Sequence, residues 1–151
     1  VSEKKKAWAI FTNSANQIFT PILVDELAKK YAQTNKNEKV KQLTSLSSKL
    51  AMLLHPDQII PMDSINKIAL MHNENQYVGF AEKVEAFKKG NNSEIKELID
   101  MVSPRAKKIE SIFSNELENL DKIRANRVVD KLLLQIGRTK LKAKELNELT
   151  K

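Results

Sequence analysis

The stretch KIRANRVVDKLLLQIGRTKLKAK, residues 122–144, holds eight Lys or Arg residues and one acidic residue, a net charge of +7. The whole chain of 151 residues also carries +7, so the residues outside this stretch sum to zero. The stretch contains no Pro and a single Gly. Upstream, Ser103-Pro104 has the sequence of an N-cap followed by a first helical residue. We therefore predict a long basic C-terminal helix over residues 104–149.

This predicted helix has two contrasting faces when residues are placed about 100° apart around its axis. An apolar stripe of Ile109, Phe113, Leu117 and Leu120 is continued on the same side by cations. Those cations are Arg124, Arg127, Lys131, Arg138 and Lys142. A second apolar band, turned away from the first, comprises Val128, Val129, Leu132, Leu133 and Ile136. We predict that this half of the helix leaves the core and that the band forms a subunit interface.

The rest of the chain also has the pattern of helices. Three Gly and four Pro are too few for the closely spaced turns of a sheet protein. Helix starts are indicated at Thr20-Pro21 and Asp63, and Pro56 and Pro61 bracket an extended connector. The prediction is an all-α fold with a single domain over residues 1–151. It is a bundle of five to six helices with a basic N-terminal arm or helix over 1–19 and the long C-terminal helix extending from the core.

Several classes of site and protein are disfavoured by composition. The chain has no Cys, and its two histidines, His55 and His72, lack neighbours at metal-ligand spacing. No glycine-rich phosphate loop or nucleophile with an adjacent base is present. No apolar run is long enough to span a membrane, and residues 7–11 are too short for the core of a signal peptide. We expect an intracellular protein that is not an enzyme and has no cofactor, metal or small-molecule substrate.

The cationic stripe is suited to a polyanion, because charges along one helix face can follow phosphates and release their counterions. The predicted nucleic-acid-binding residues are Arg124, Arg127, Lys131, Arg138, Lys140, Lys142 and Lys144, with Lys4, Lys5 and Lys6 at the N-terminus. Aromatic residues near the N-terminal lysines, Trp8 and Phe11, suit stacking on bases. The competing interpretations are a solvated helix face for the stripe and a frayed lysine tail for the N-terminus.

Two functions are compatible with these features. The first is a structural protein that coats double-stranded DNA through phosphate contacts, without reading sequence, and assembles in many copies. The second is an all-helical small subunit or adaptor of a larger nucleoprotein complex, whose apolar band binds a different protein. Salt-sensitive DNA binding would favour the first, and a monomer with no affinity for nucleic acid would favour the second.

The chain resembles one family in composition and layout, through KKKAWAIF at residues 4–11 and NRVVDKLLLQIGRTKLKAK at residues 126–144. It is similar to the major coat proteins of enveloped filamentous double-stranded DNA viruses of hot-spring archaea. The resemblance implies a virion protein that pairs with itself or with a related coat subunit. It further implies that helices of the pair wrap linear DNA in the A-form, with residues 4–6 and 124–144 facing the DNA.

Overall fold

The computed structural model describes residues 19–34, 40–113 and 119–149, and within these the chain is helical and without strands. The prediction of an all-α fold with a long last helix is confirmed. The helices are α1 (Pro21–Thr34), α2 (Val40–Leu54), α3 (Ser64–Ala69), α4 (Tyr77–Gly90), α5 (Asn92–Phe113) and α6 (Leu120–Leu149).

Local sequence signals set several of the helix boundaries. Pro21 opens α1, and the carbonyl of Thr20 accepts a hydrogen bond from the Leu23 N–H at 2.9 Å. Asp63 is the N-cap of α3, and its Oδ1 accepts from the Asn66 N–H at 2.7 Å. Proline is favoured at the first position of a helix, and the Asp63 carboxylate accepts from a backbone N–H that has no partner within the helix.

The predicted helix over residues 104–149 is wrong, because Pro104 lies inside α5 rather than at the start of a helix. Proline has no N–H for the carbonyl of Asp100, four residues earlier. Both Pro104 and Asp100 are exposed, so water can bond that carbonyl and the helix continues. A separate helix, α6, begins at Leu120 after Asn119, whose φ of 63° lies in the left-handed region.

The helices pack in pairs around one hydrophobic core. Helix α1 packs against α2 and α4, α3 packs against α6, and α5 contacts both α4 and α6. The most deeply buried large side chains are Val24, Ile59, Ile60, Met62, Phe80, Val129 and Leu133. Burial of such side chains stabilises the fold by roughly 1.5–3 kcal/mol each.

The centre of this core is a segment that is not helical. The connector, residues 55–63 between α2 and α3, buries the side chains of Ile59, Ile60 and Met62 almost completely. A buried loop carries backbone polar groups that must find partners. Here side chains from the surrounding helices supply them.

Four helices each contribute one such side chain to the connector. The Ser48 hydroxyl of α2 accepts from the Met62 N–H at 3.0 Å. The Tyr77 hydroxyl of α4 donates to the Ile60 carbonyl at 2.9 Å. The remaining two are amides: Asn66 Nδ2 of α3 donates to the Pro61 carbonyl at 3.0 Å, and Asn126 Nδ2 of α6 donates to the Pro56 carbonyl at 3.2 Å. The connector therefore joins α2, α3, α4 and α6.

Helix α6 approaches α3 closely at Gly137. A Cβ built on Gly137 would lie 2.2 Å from the carbonyl oxygen of Ile65. Only a residue without a side chain fits against that backbone. Gly137 therefore fixes the side of α6 that faces the protein, which in turn decides which cations face outward.

Candidate nucleic-acid interface

The outward side of α6 carries a row of exposed cations. Lys131, Arg138 and Lys142 lie within about 40° of one another around the helix axis and opposite the buried Val129 and Leu133. At ~1.5 Å per residue, this row spans roughly 16 Å along the axis. We call these three residues the α6 outer face.

The side chains of the α6 outer face are unpaired in the part of the chain that the structure describes. Across the described ranges 19–34, 40–113 and 119–149, no ion pair or hydrogen bond involves Lys131, Arg138 or Lys142. Their charges are therefore available to an external anion, such as a row of phosphates.

Arg124 was predicted to belong to the same row, but the structure gives it a different role. Its Nε donates to both carboxylate oxygens of Glu110 on α5, at 2.9 and 3.2 Å, and its Nη1 donates to Asp121. Burial opposes the charged guanidinium, yet these hydrogen bonds outweigh it and raise the pKa of Arg124. With its side chain only 11% exposed, Arg124 joins α6 to α5 and is not part of the outer face.

Arg127 is also turned toward the protein. Its Nη1 lies 3.6 Å from Oδ2 of Asp130, whose Oδ1 accepts a hydrogen bond from Asn66 Nδ2 at 3.0 Å. Its Nη2 is buried without a partner among the described residues. Asp130 thus takes part in the contact between α6 and α3 and pairs with Arg127, whose side chain remains 38% exposed.

Two further lysines predicted to bind nucleic acid, Lys140 and Lys144, differ in how firmly they are held. Lys140 Nζ donates to the Ala69 carbonyl at 2.8 Å. Ala69 is the last residue of α3, and the dipole at a helix C-terminus also favours a nearby cation. Lys144 Nζ lies 3.8 Å from Glu148, and both side chains are exposed. Such a surface pair contributes little to stability, so Lys144 can exchange its partner for a phosphate. Lys4, Lys5 and Lys6 lie outside the described residues.

The predicted subunit interface on α6 is instead part of this chain's own core. Val129 and Leu133 are 1% and 0% exposed, and Leu132 and Ile136 pack against the same core. Val128 is half-buried. The prediction of an interface is therefore wrong for this band, because α3 and the connector already cover the side of α6 on which it lies.

The two histidines occupy unrelated places. His72 is buried against Phe80, with Nε2 3.2 Å from the Gln76 carbonyl, and burial is the main cause that lowers its pKa. His55 contacts the Phe19 ring at a centroid distance of 5.3 Å. In the part of the chain that the structure describes, no group of three His, Cys, Asp or Glu side chains is arranged to hold a metal ion.

Sequence reasoning missed the polar residues that hold α6 in place. Asn126 and Asn66 are buried and were not singled out, although a signal was present. Asn126 falls on the same helical side as Val129 and Leu133, and Asn66 on the same side as Ala69. An Asn within an apolar stripe indicates a buried amide with a specific partner.

Comparison of the chain with protein-family models, curated proteins and solved structures gives no match. Among the described helices, none is both long enough and apolar enough to cross a membrane.

Proposed function

We propose that this protein coats double-stranded DNA through phosphate contacts made by the α6 outer face, and that many copies assemble on one duplex. The observation that carries the proposal is the row of Lys131, Arg138 and Lys142, exposed and free of ion pairs among the described residues. Lys142 carries the row into the last turns of α6, and Lys144 adds an exposed cation there on another side of the helix.

The arrangement favours contacts with the DNA backbone over contacts with bases. The three cations are spread over roughly 16 Å on a single helix face, whereas a recognition helix concentrates its base contacts near one end. Phosphate contacts position a protein on DNA without reading its sequence. Binding is therefore expected to be independent of sequence and strongly dependent on salt.

The resemblance to archaeal viral coat proteins extends this proposal to a filament inside a virion. In that setting, the predicted lysines Lys4, Lys5 and Lys6 add a second set of phosphate contacts, and the DNA is held in the A-form. Electron microscopy of the protein assembled on linear DNA, before and after nuclease treatment, tests this extension. Filaments that protect DNA are expected, and discrete particles with digested DNA contradict it.

The phosphate contacts are tested by the salt dependence of binding to a short duplex, followed by fluorescence anisotropy. Replacing Lys131, Arg138 and Lys142 with Gln is expected to flatten the slope of log K against log salt by roughly 2–3, because each lost contact releases about 0.9 fewer counterions. A matched variant replaces three other exposed lysines with Gln, namely Lys29, Lys89 and Lys96. It keeps the wild-type slope if the contacts are specific to the α6 outer face.

An unchanged slope in the α6 variant contradicts the proposal, as does an equal loss in both variants. Binding that differs strongly between A·T-rich and G·C-rich duplexes contradicts sequence independence. A chain that binds no duplex at low salt favours the adaptor hypothesis instead.

A further inference from the structure

Helix α5 presents an exposed side that is unusually apolar for a surface. Met101 is 66% exposed and Ile109 is 60% exposed, with Val102 between them also exposed. Ile109 was expected to face the core, but the structure leaves it exposed, although it lies only about 40° around the helix axis from the buried Ile95. Large exposed apolar side chains clustered on one helix are typical of an interaction surface.

The charges around Met101 are arranged symmetrically and with opposite sign. Four and seven residues before Met101 stand Glu97 and Glu94, and four and seven residues after it stand Arg105 and Lys108. Met101 and these four charged residues are all exposed, and the four lie within about 40° of Met101 around the helix axis. We call these five residues the α5 outer face.

The charged residues of the α5 outer face have no opposite charge to pair with in the described ranges 19–34, 40–113 and 119–149. No ion pair involves them among the residues that the structure describes. At helical spacing their nearest charged neighbours on this face have like sign, Glu94 beside Glu97 and Arg105 beside Lys108. Like charges three residues apart destabilise a helix by a few tenths of a kcal/mol. The pattern therefore costs stability in the monomer.

The helix dipole explains only part of this pattern. Acidic residues favour the first turn of a helix and basic residues the last, and the effect fades beyond those turns. Glu94 lies in the first turn of α5, which spans Asn92–Phe113, but Glu97, Arg105 and Lys108 lie in neither terminal turn. A partner with the same charges in reverse order accounts for all four.

We infer that the α5 outer face binds the same face of a second copy of this chain, with the two α5 helices antiparallel and a two-fold axis passing beside Met101. In that arrangement Glu97 meets the partner's Arg105, and Glu94 meets the partner's Lys108. A two-fold axis repeats each contact, so four ion pairs form around two methionines. The ion pairs span roughly 21 Å of helix.

This dimer does not depend on the proposed DNA binding, because it uses a different helix and forms without nucleic acid. One pair of helices is a small contact, so self-association is expected in the range of about 10 µM to 1 mM. Its measurement in the absence of DNA separates its failure from failure of the DNA-coating proposal.

Complementary charge reversal tests the arrangement by sedimentation equilibrium at low salt. An acidic variant carries Arg105→Glu and Lys108→Glu, and a basic variant carries Glu94→Lys and Glu97→Lys. Each variant alone is expected to self-associate at least tenfold more weakly than wild type, because like charges face each other across the axis. An equimolar mixture is expected to regain a dimer containing one copy of each.

A control variant with Lys29→Glu and Lys30→Glu on α1 makes the same change in net charge as the acidic variant at exposed positions elsewhere. It is expected to associate as wild type does, and helical circular dichroism verifies that all variants fold. The inference is overturned if wild type stays monomeric at about 1 mM, if the control loses association equally, or if the mixture fails to pair.

A second measurement uses the absence of Cys from the chain. A Met101→Cys variant places one thiol next to its counterpart at the axis, so a short bis-maleimide is expected to link two copies efficiently. Lys107→Cys places an exposed thiol on another side of α5, about 120° away, and serves as the control. Equal cross-linking of the two variants contradicts the antiparallel arrangement.

Discussion

The connector and the α5 outer face invert the usual relation between loops and helices. The connector is not helical, yet it lies at the centre of the core and side chains from four helices satisfy its backbone. The α5 outer face is a regular helix, yet it exposes apolar and charged side chains that lack partners within the described chain. Buried hydrogen bonds thus mark the part of the molecule that stabilises the fold, and exposed side chains without partners in the described chain mark the part that we expect to bind a partner.

The same substitution in the connector and at an exposed position of α5 beside the outer face gives the largest contrast. Ile59→Ala in the connector is expected to lower the free energy of unfolding by about 3 kcal/mol, because a fully buried side chain leaves a cavity. Ile109→Ala on α5 is expected to change it by less than about 0.5 kcal/mol, because that side chain is exposed. Urea denaturation of dilute, monomeric protein measures both. Similar losses would remove the distinction between the two regions.

A smaller effect is expected from removing one amide that serves the connector. Asn66→Ala deletes the donor to Pro61 and Asp130, leaving buried acceptors unsatisfied, and is expected to cost about 2 kcal/mol. Asn73→Ala, at an exposed loop position, is the matched control and is expected to be nearly neutral. If the two variants unfold at the same urea concentration, the buried amide does not stabilise the connector.

The smallest effect is expected for the Tyr77 hydroxyl, and it depends on pH. Tyr77→Phe is expected to cost about 1 kcal/mol at neutral pH through loss of the hydrogen bond to Ile60. Burial raises the pKa of Tyr77 above its ordinary value of 10.0. As pH rises through 10, the unfolded hydroxyl ionises before the folded one, so stability contributed by the protonated Tyr77 is lost.

The difference in unfolding free energy between wild type and Tyr77→Phe is therefore expected to shrink above about pH 10. Urea denaturation of both proteins at about pH 7 and about pH 11 measures it, and other titrating groups cancel in the difference. A constant difference across this range would mean that the hydroxyl is accessible to solvent in the folded protein.

Sequence reasoning located features that depend on local chemistry. The start of α1 at Pro21, the cap of α3 at Asp63 and the connector between Pro56 and Pro61 all follow from residues close in the chain. Reasoning failed where the outcome depends on distant partners. The local signal at Ser103-Pro104 was overridden because α5 is held on both sides of Pro104. Ile95 and Ile99 pack at the core before it, and Glu110 accepts hydrogen bonds from Arg124 of α6 after it.

In the candidate nucleic-acid interface, too, local sequence predicted some features and distant partners decided others. Periodicity alone placed Lys131, Arg138 and Lys142 on one helix face, and the structure leaves that face exposed. Periodicity could not show that Arg124 meets Glu110, fourteen residues away on another helix. Nor could it show that Val129 and Leu133 are covered by this chain's own α3 and connector rather than by a second subunit.

The hydrogen bond between Met62 and Ser48 has a consequence for the dynamics of the molecule. The Met62 N–H lies outside every helix, so fraying at the end of a helix does not by itself expose it to solvent. Its hydrogen can exchange with solvent only when α2 separates from the buried connector, to which α3, α4 and α6 are also bonded. Exchange at this loop amide therefore reports cooperative unfolding of the whole bundle, more directly than exchange at the ends of the helices themselves.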